Sequence, residues 1–324
     1  MLNTKVIECI PLNLYLSAKF LVLLQVTSHN EFIKTNREDI RLYLKREDLI
    51  HPYISGNKYR KLKYNIKEAL TQNCESLLTF GGAYSNHIAA VAYAGSINGL
   101  KTIGVIRGDE LAAEIPNNPT LTFAQQHGMQ FKFLSRSSYR NKMSNTFLEE
   151  LNNQFNNFYL IPEGGTNALA VKGCEEILTD NDSQFDFICC SVGTGGTLSG
   201  LINASKSHQR ILGFPALNGD FLNNDIRKFV STSNWKILNE YNFGGYAKIN
   251  HELVNFINGF KREHDILLDP IYTSKMMFGV LDLINNNYFS KGARILAIHT
   301  GGIQGVDGMN LKLKRKNWPL ILKQ

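Results

Sequence analysis

The sequence lacks the features that mark secreted and membrane-spanning proteins. Its five cysteines form no C-x-x-C pair, and an odd number leaves one thiol unpaired in any disulfide scheme, so a reducing compartment is favoured. The apolar run at residues 20–26 is too short to cross a bilayer and lies too far into the chain for a signal peptide. We therefore expect a cytoplasmic protein with no membrane partner.

Positive charge is present, but the chain has little concentrated basic surface. A net charge of +7 and a pI near 9.0 make a polyanion partner worth testing. The basic residues are scattered, however, and the one dense tail, at residues 311–318, is short. Nucleic-acid binding is therefore disfavoured, and no metal site is predicted.

Short apolar runs alternate with helical patterns, and no internal repeat or proline-rich linker interrupts them. Strands are predicted at residues 40–45, 77–80, 101–106, 129–134, 158–162, 185–192, 210–214 and 294–299. Helices are predicted at residues 58–70, 87–97, 120–127, 168–178, 249–262 and 274–286, with another beginning at residue 198. This alternation predicts an α/β fold with two mostly parallel sheets.

The glycine-rich stretch SVGTGGTLSGL, at residues 191–201, follows an apolar strand and opens a helix. Glycines let backbone N–H groups approach an anion, and a helix start adds partial positive charge, so this loop predicts a phosphate site. The loop has no P-loop lysine and does not complete a dinucleotide fingerprint. A tight turn that binds nothing is the alternative.

Two further loops follow predicted strands. FGGAYSNHIAA, at residues 80–90, carries a hydroxyl and an amide that suit a small carboxylate or a phenolic oxygen, although S-N-H is also a common helix cap. IHTGG, at residues 298–302, ends the last predicted strand. Ligands of open α/β sheets lie beyond the carboxyl ends of the strands, so the three loops are expected to share one crevice.

The segment HPYISGNKYRKLKYN, at residues 51–65, places a lysine at a predicted helix start. A phosphate site, a carboxylate-sized pocket and an amine together describe a pyridoxal phosphate enzyme. Without such an amine, a sugar phosphate or a nucleotide would suit the loops equally well. Lys58 is the candidate amine, whose pKa the helix start should lower. Arg60 and Lys63 have no derived role and are expected to be solvated.

Several motifs occur in a characteristic order between residues 40 and 302. They are LKREDL (44–49), SGNKYRKL (55–62), FGGAYSNH (80–87), PEGG (162–165), GTGGT (193–197), LDPIYT (268–273) and HTGG (299–302). Together they resemble the D-cysteine desulfhydrase and 1-aminocyclopropane-1-carboxylate deaminase family of pyridoxal phosphate enzymes. The resemblance implies the two-domain tryptophan synthase β-like fold. Residues 1–60 and 161–324 would form the larger, cofactor-binding domain, and residues 61–160 the smaller one.

The resemblance also implies how the cofactor would be held. Lys58 would bind it covalently and move the proton at the substrate α-carbon, and Asn86 would bond its phenolic oxygen. Lys61 would contact its phosphate beside the backbone of Gly193, Thr194, Gly195, Gly196 and Thr197. Thr300 would face the pyridine nitrogen.

The substrate side follows from the same resemblance. Ser85, Asn86 and His87 would receive the substrate carboxylate, and Ser85 would join proton transfer. Tyr272 would lie near the ring or the substrate and act in catalysis, and Tyr246 would be a second active-site tyrosine. A homodimer is expected, since the family forms one.

One position bears on the choice of substrate. Deaminases of this family carry Glu after the tyrosine of the L-D-P-x-Y motif, where this chain has Thr273. A hydroxyl cannot keep the pyridine nitrogen protonated as a carboxylate can, which weakens the electron sink. Elimination of a good leaving group such as hydrosulfide needs less of a sink than opening a cyclopropane. D-Cysteine desulfhydration is therefore favoured over deamination of 1-aminocyclopropane-1-carboxylate.

Departures from the family pattern keep other functions open. Ile88, Ala89 and Ala90 stand where an Arg-Gln-type pair is usual, and residues 303–307 differ from the usual stretch after H-T-G-G. A β-replacement synthase of the cysteine-synthase type is one alternative. Another is a protein that binds pyridoxal phosphate or an amino acid without turnover, although the intact lysine, serine and tyrosine argue against it.

Overall fold

The structure is a computed structural model that describes residues 28–217 and 221–323. Cys9 and the apolar run at residues 20–26 lie outside the described residues. In the part of the chain that is described, Cys74, Cys174, Cys189 and Cys190 are free thiols. No helix in these two ranges is long and apolar enough to cross a membrane.

Strands of the described residues form two sheets. They are β1 (Asn30–Ile33), β2 (Arg41–Lys45), β3 (Ser76–Gly82), β4 (Lys101–Arg107), β5 (Met129–Leu134), β6 (Phe158–Ile161), β7 (Phe187–Val192), β8 (Arg210–Pro215), β9 (Trp235–Ile237) and β10 (Arg294–Ile298). The larger sheet has the order β1-β2-β10-β7-β8-β9, and the smaller sheet has the order β5-β4-β3-β6. All neighbouring strands are parallel except β1, which pairs antiparallel with β2 at the sheet edge.

Helices connect these strands and cover the sheets. They are α1 (Asn57–Thr71), α2 (Asn86–Asn98), α3 (Pro119–Gln126), α4 (Asn145–Phe155), α5 (Ala168–Glu175), α6 (Gly196–Ala204), α7 (Phe221–Arg227), α8 (His251–His264), α9 (Thr273–Asn285) and α10 (Gly305–Arg315). Most coincide with predicted helices to within a few residues. The sequence patterns missed β1, β9, α4, α7 and α10.

Small residues bring the helices of the prospective site close together. A Cβ at Gly173 in α5 would lie 2.0 Å from the carbonyl oxygen of Arg60 in α1. A Cβ at Gly200 in α6 would lie 2.5 Å from the Cβ of Cys174. Glycine is therefore required at both contacts, since a methyl group would meet backbone or a fixed side chain. These close contacts of α5 with α1 and with α6 fix the start of α1 beside the start of α6.

The observed architecture confirms the predicted α/β fold with two mostly parallel sheets. The predicted domain limits stay a prediction. Strands of the smaller sheet lie between residues 76 and 161, and the predicted limit at residue 60 falls inside the continuous helix α1.

Candidate cofactor and active site

The three glycine-containing loops and the start of α1 surround one cavity. Strand β10 lies between β2 and β7, so the carboxyl ends of these parallel strands converge. Every predicted site residue except Gly196 lines this cavity: Lys58, Lys61, Ser85, Asn86, His87, Gly193, Thr194, Gly195, Thr197, Tyr246, Tyr272 and Thr300. Gly196 is the first residue of α6.

Lys58 is the second residue of α1, and its amine lies at the cavity. Its Nζ donates a hydrogen bond to Asn57 Oδ1 at 3.1 Å. Burial, first of all, and the nearby charge of Lys61 together lower the pKa of the amine to about 7. The direction matches the prediction, but these two effects, rather than the helix start, are the physical causes that the structure supplies. A large share of this amine is therefore neutral and nucleophilic near pH 7.

Lys61 lies one turn along α1, beside the glycine loop. Its Nζ donates to Gly164 O and Thr166 Oγ1, both at 2.9 Å, and to Thr194 Oγ1 at 3.5 Å. Burial lowers the pKa of this amine as well. The charge is thus held at the start of α6, where an anion would receive both the ammonium and the helix N-terminus.

Two side chains missed by the sequence analysis support these lysines. Asn57 Nδ2 donates to Thr197 Oγ1 at 2.8 Å, which joins the start of α1 to the start of α6. Thr166 Oγ1 lies 2.5 Å from Thr194 Oγ1 and accepts from Lys61. The sequence signal that could have identified them was their position: Asn57 lies inside the G-N-K motif, and Thr166 directly follows P-E-G-G.

The S-N-H tripeptide forms the start of α2. Ser85 caps the helix, since its Oγ accepts from the backbone N–H groups of His87 and Ile88 at 3.2 and 3.4 Å. Ser85 and the half-buried Asn86 both line the cavity. An anion at this helix start would be favoured by the helix dipole.

The ring of His87 is bonded to the smaller sheet through its Nε2 atom. Thr79 Oγ1 gives its one proton to Ile161 O, so at 2.9 Å it accepts from His87 Nε2. Burial and the charges of Lys58 and Lys61 hold the pKa of His87 well below its usual value. A neutral ring with its proton on Nε2 has no second N–H for a carboxylate. Ser85 and Asn86 are therefore the better side-chain candidates for the carboxylate, and the role of His87 in substrate binding stays a prediction.

Tyr272 and Tyr246 form a pair at the cavity wall, with ring centroids 6.2 Å apart. A Cβ at Gly193 would lie 3.2 Å from Tyr272 Cε1, so the glycine lets the tyrosine ring pack on the loop. Burial raises the pKa of both phenols, and that of Tyr272 is raised strongly. Each therefore stays protonated and offers an O–H donor.

Two hydroxyl groups lie together at the ends of β7 and β10. Ser191 Oγ and Thr300 Oγ1 are 3.2 Å apart, and both residues line the cavity. Thr273 does not line it, and its hydroxyl is fully buried without a hydrogen-bond partner among the residues that the structure describes. Ser191 was missed because it is one of several small residues in an apolar strand.

The expectation that Arg60 and Lys63 are solvated is wrong. Arg60 is 3 % exposed and bonds both oxygens of Glu47 at 2.9 Å. Lys63 Nζ lies 2.6 Å from Glu176 Oε2. A buried guanidinium needs such a paired carboxylate, because desolvation of an isolated charge is very unfavourable. These ion pairs fix α1, and with it Lys58, against its neighbours.

The residues around the cavity fit pyridoxal phosphate. A Cβ at Gly196 would lie 2.8 Å from Thr166 Oγ1 and 3.3 Å from Lys61 Nζ, so only glycine leaves an open cradle there. Ser55 Oγ is buried at the cavity with no hydrogen-bond partner among the described residues. Lys58 supplies an amine whose pKa suits carbonyl chemistry.

Comparison with known proteins agrees with this fit. Residues 28–301 match the family model described as "Pyridoxal-phosphate dependent enzyme", and the chain belongs to that family. Within it, the chain belongs to the D-cysteine desulfhydrase and 1-aminocyclopropane-1-carboxylate deaminase group that the motifs predicted. Pyridoxal phosphate is therefore its cofactor.

Three similar proteins illustrate the relationship. A Pyrococcus horikoshii protein with the provisional name 1-aminocyclopropane-1-carboxylate deaminase is 33% identical over 281 residues, 82% of this chain and 85% of the relative. The Arabidopsis thaliana protein named bifunctional D-cysteine desulfhydrase/1-aminocyclopropane-1-carboxylate deaminase, mitochondrial, is 29% identical over 294 residues, 82% of this chain and 73% of the relative. A crystal structure titled as an ACC deaminase homologue has a TM-score of 0.77 and 28% identity, covering 92% of this chain and 98% of that chain.

The lowered pKa of Lys58 predicts how cofactor uptake depends on pH. Only the neutral amine attacks a carbonyl, so the uptake rate of the apoenzyme should rise with pH and level off above a midpoint near 7. At one pH unit below the midpoint the rate should be about tenfold below the plateau. Stopped-flow absorbance with pyridoxal phosphate measures it.

The control for this experiment is Nα-acetyl-lysine mixed with the same cofactor. The rate of this model reaction should keep rising towards pH ~10.4. Dividing the apoenzyme rate by the model rate at each pH removes the effect of the cofactor's own titrations. A midpoint for the apoenzyme above pH 9 would contradict the assignment of a buried, pKa-lowered Lys58.

Proposed function

We propose that this enzyme is a pyridoxal phosphate-dependent lyase that acts on D-cysteine. The overall reaction takes up one water and releases pyruvate, ammonia and hydrogen sulfide. The observation that carries the proposal is that no Asp or Glu within residues 28–217 and 221–323 lines the cavity. The hydroxyl pair of Ser191 and Thr300 supports a weak contact to the pyridine nitrogen rather than a carboxylate contact.

The cofactor would supply the electron sink that stabilises negative charge at the substrate α-carbon. The chain's own residues would do the rest. Lys58, when free, is suited to take the α-proton, because its pKa of about 7 lets the amine exchange a proton near neutral pH. Asn86 and the start of α2 would hold the substrate carboxylate.

Tyr272 and Ser85 would act on the leaving group side. Burial keeps the Tyr272 phenol protonated, so it can donate a hydrogen bond or a proton but not act as a base at neutral pH. The Ser85 hydroxyl keeps its own proton while its oxygen caps α2. A departing hydrosulfide needs little protonation, which suits such weak acids.

Deamination of 1-aminocyclopropane-1-carboxylate is the second candidate, and the names of relatives favour it. The provisional name of the Pyrococcus horikoshii relative states that activity alone, and the Arabidopsis thaliana name states both activities. Thr273 argues against it here, since it stands where deaminases of the family carry Glu and no carboxylate of the described residues lines the cavity in its place.

A substrate panel tests the choice. We expect D-cysteine to give sulfide and pyruvate with a kcat/KM at least about tenfold above that of L-cysteine or 1-aminocyclopropane-1-carboxylate, a difference of ~1.4 kcal/mol. β-Chloroalanine and D-serine report on the leaving group. Assays for sulfide and 2-oxo acid score each substrate.

The other outcomes are equally informative. Turnover of the cyclopropane substrate alone would contradict desulfhydration and show that Thr273 was misread. A yellow protein that binds amino acids without any product would indicate a binding protein. A product that appears only with an added nucleophile would indicate a β-replacement synthase.

A homodimer and a cytoplasmic location complete the proposal. Light scattering on the purified holoenzyme measures the first, and cell fractionation measures the second. A stable monomer in the holoenzyme would contradict the dimer.

A further inference from the structure

The loop from Asn242 to Ala247 carries Tyr246 at the cavity but has little regular structure to hold it. Its residues with positive φ angles are Phe243 (53°), Gly244 (85°), Gly245 (109°) and Ala247 (54°). Such conformations are unfavourable for residues with a side chain and persist only where the surroundings determine them. The Tyr246 residue is 40% exposed, so its own packing supplies only part of that restraint.

Two lysines bind the backbone of this loop. Lys275 Nζ donates to Asn242 O and to Gly245 O, both at 2.8 Å. Lys312 Nζ, from α10, donates to Ala247 O at 2.8 Å. The carbonyl groups on both sides of Tyr246 are therefore held by ammonium groups.

Lys275 is 1% exposed, and its hydrogen bonds are to neutral carbonyl oxygens. An ammonium group in that position loses its hydration, and no carboxylate of the described residues bonds it in return, so it is unfavourable for stability alone. Burial lowers the pKa of Lys275 to about 8, and the charge of Asp269 opposes the shift. The presence of a buried lysine here, despite its desolvation penalty, is best explained by the loop conformation that its hydrogen bonds to Asn242 O and Gly245 O enforce.

The position of Lys275 on α9 connects the loop to the second tyrosine. Tyr272 directly precedes α9, and Lys275 follows one turn later. The carboxylate of Asp269 accepts from the backbone N–H groups of Ile271, Tyr272 and Thr273 at 2.7–2.9 Å, which makes this helix start rigid. One anchored turn therefore fixes Tyr272 directly and the Tyr246 loop through Lys275.

We propose that Lys275 and Lys312 are positioning residues that clamp the loop of residues 242–247 and hold Tyr246 beside Tyr272 at the substrate site. They act through the tyrosine and do not touch the cavity, since neither lysine lines it. The clamp rests on the proposed function only in that Tyr246 serves the substrate. Its effect on the loop can be measured without any turnover.

Hydrogen–deuterium exchange of the holoenzyme tests the clamp itself. Lys275→Met keeps the length of the side chain but removes the donor, leaving the carbonyls of Asn242 and Gly245 without it. We expect the amides of residues 242–248 to exchange about tenfold faster or more, and Lys275→Arg to restore part of the protection. Lys312→Met should have a smaller effect at the Ala247 end. Unchanged exchange in Lys275→Met would overturn the proposal whatever the activity.

The matched control is Lys314→Met, on an exposed residue of the same helix as Lys312. It should leave exchange of the loop unchanged. A thermal unfolding scan shows whether Lys275→Met still folds. If it does not, Lys312→Met and Lys275→Arg carry the test, because both keep at least one of the clamping interactions.

Kinetics with D-cysteine distinguish positioning from a general loss of stability. Lys275→Met should raise KM about tenfold and change kcat less than threefold. In a Tyr246→Ala background the same change should have little further effect, since the group that Lys275 positions is gone. An equal loss in both backgrounds would overturn the positioning role. Faster exchange in Lys275→Met, together with a wild type that turns over no amino acid, would overturn the proposed function and leave the clamp established.

Discussion

Lys58→Ala should eliminate both the cofactor's visible absorbance band and catalytic turnover. Among the described residues, the lysines that line the cavity are Lys58 and Lys61, and Lys61 is held by Gly164 O and Thr166 Oγ1, so no second free amine there replaces that of Lys58. Loss of a covalent anchor that also moves a proton should lower kcat by about 10³-fold or more. Absorbance of the purified protein and a sulfide assay measure the two effects separately.

The control for Lys58→Ala is Lys67→Ala, because Lys67 is exposed on the same helix. It should keep the band and the activity. A Lys58→Ala variant that retains either the attached cofactor or near-normal turnover would contradict the assignment of the anchor. Exogenous small amines that restore part of the turnover would support the role in proton transfer.

Lys61→Met should weaken cofactor binding by about 10- to 100-fold, because a charge-assisted hydrogen bond contributes about 1.5–3 kcal/mol. The amine of Lys61 lies 3.3 Å from the position that a Cβ at Gly196 would occupy, at the start of α6. Replacement by Met removes this charge and leaves the helix dipole of α6 as the main attraction for a phosphate. Titration of the apoenzyme with pyridoxal phosphate measures the dissociation constant.

Lys61 also bonds Gly164 O and Thr166 Oγ1, so its loss could loosen the loop itself. Thermal unfolding of the apoenzyme separates the two effects, and Lys67→Met on the same helix is the matched control. Binding that is unchanged in Lys61→Met, in a protein that unfolds normally, would show that the phosphate lies elsewhere.

Local sequence patterns predicted the parts of the fold that local physics determines. Continuous apolar runs of strand length, such as the one ending at Val192, need cover on both faces and therefore predict parallel strands. The patterns missed β1 and β9, which lie at sheet edges and are short, and they also missed α4, α7 and α10. An edge strand pairs on one side only, so its sequence carries a weaker signal.

The site was predictable where the chemistry resides in a contiguous motif. Lys58, the GTGGT loop and the S-N-H cap were found from their position between a strand and a helix. Ser191 and Thr166 were missed, because each becomes a site residue only through a partner far away in the chain: Thr300 for the first and Lys61 for the second.

The role of His87 shows what a motif cannot specify. The tripeptide predicts a polar side chain near a substrate carboxylate, but the proton on the ring is set by Thr79, in the neighbouring strand β3. Tautomer and pKa depend on burial and on the charges of Lys58 and Lys61, which the sequence does not order in space.

The sequence by itself determined the class of enzyme. The strands, the glycine loops and the lysine at a helix start are each recognised from a short run of residues, and they occur in a characteristic order. Only the tertiary structure decided which charges are solvated. The sequence places Arg60 in a basic segment typical of a surface, but in the structure Arg60 is buried and bonds Glu47. The sequence of α9 makes Lys275 an ordinary helical lysine, but in the structure it binds the loop that carries Tyr246. Burial and pairing depend on residues brought together from distant parts of the chain, and they decide whether a charged side chain is solvated or holds the interior together.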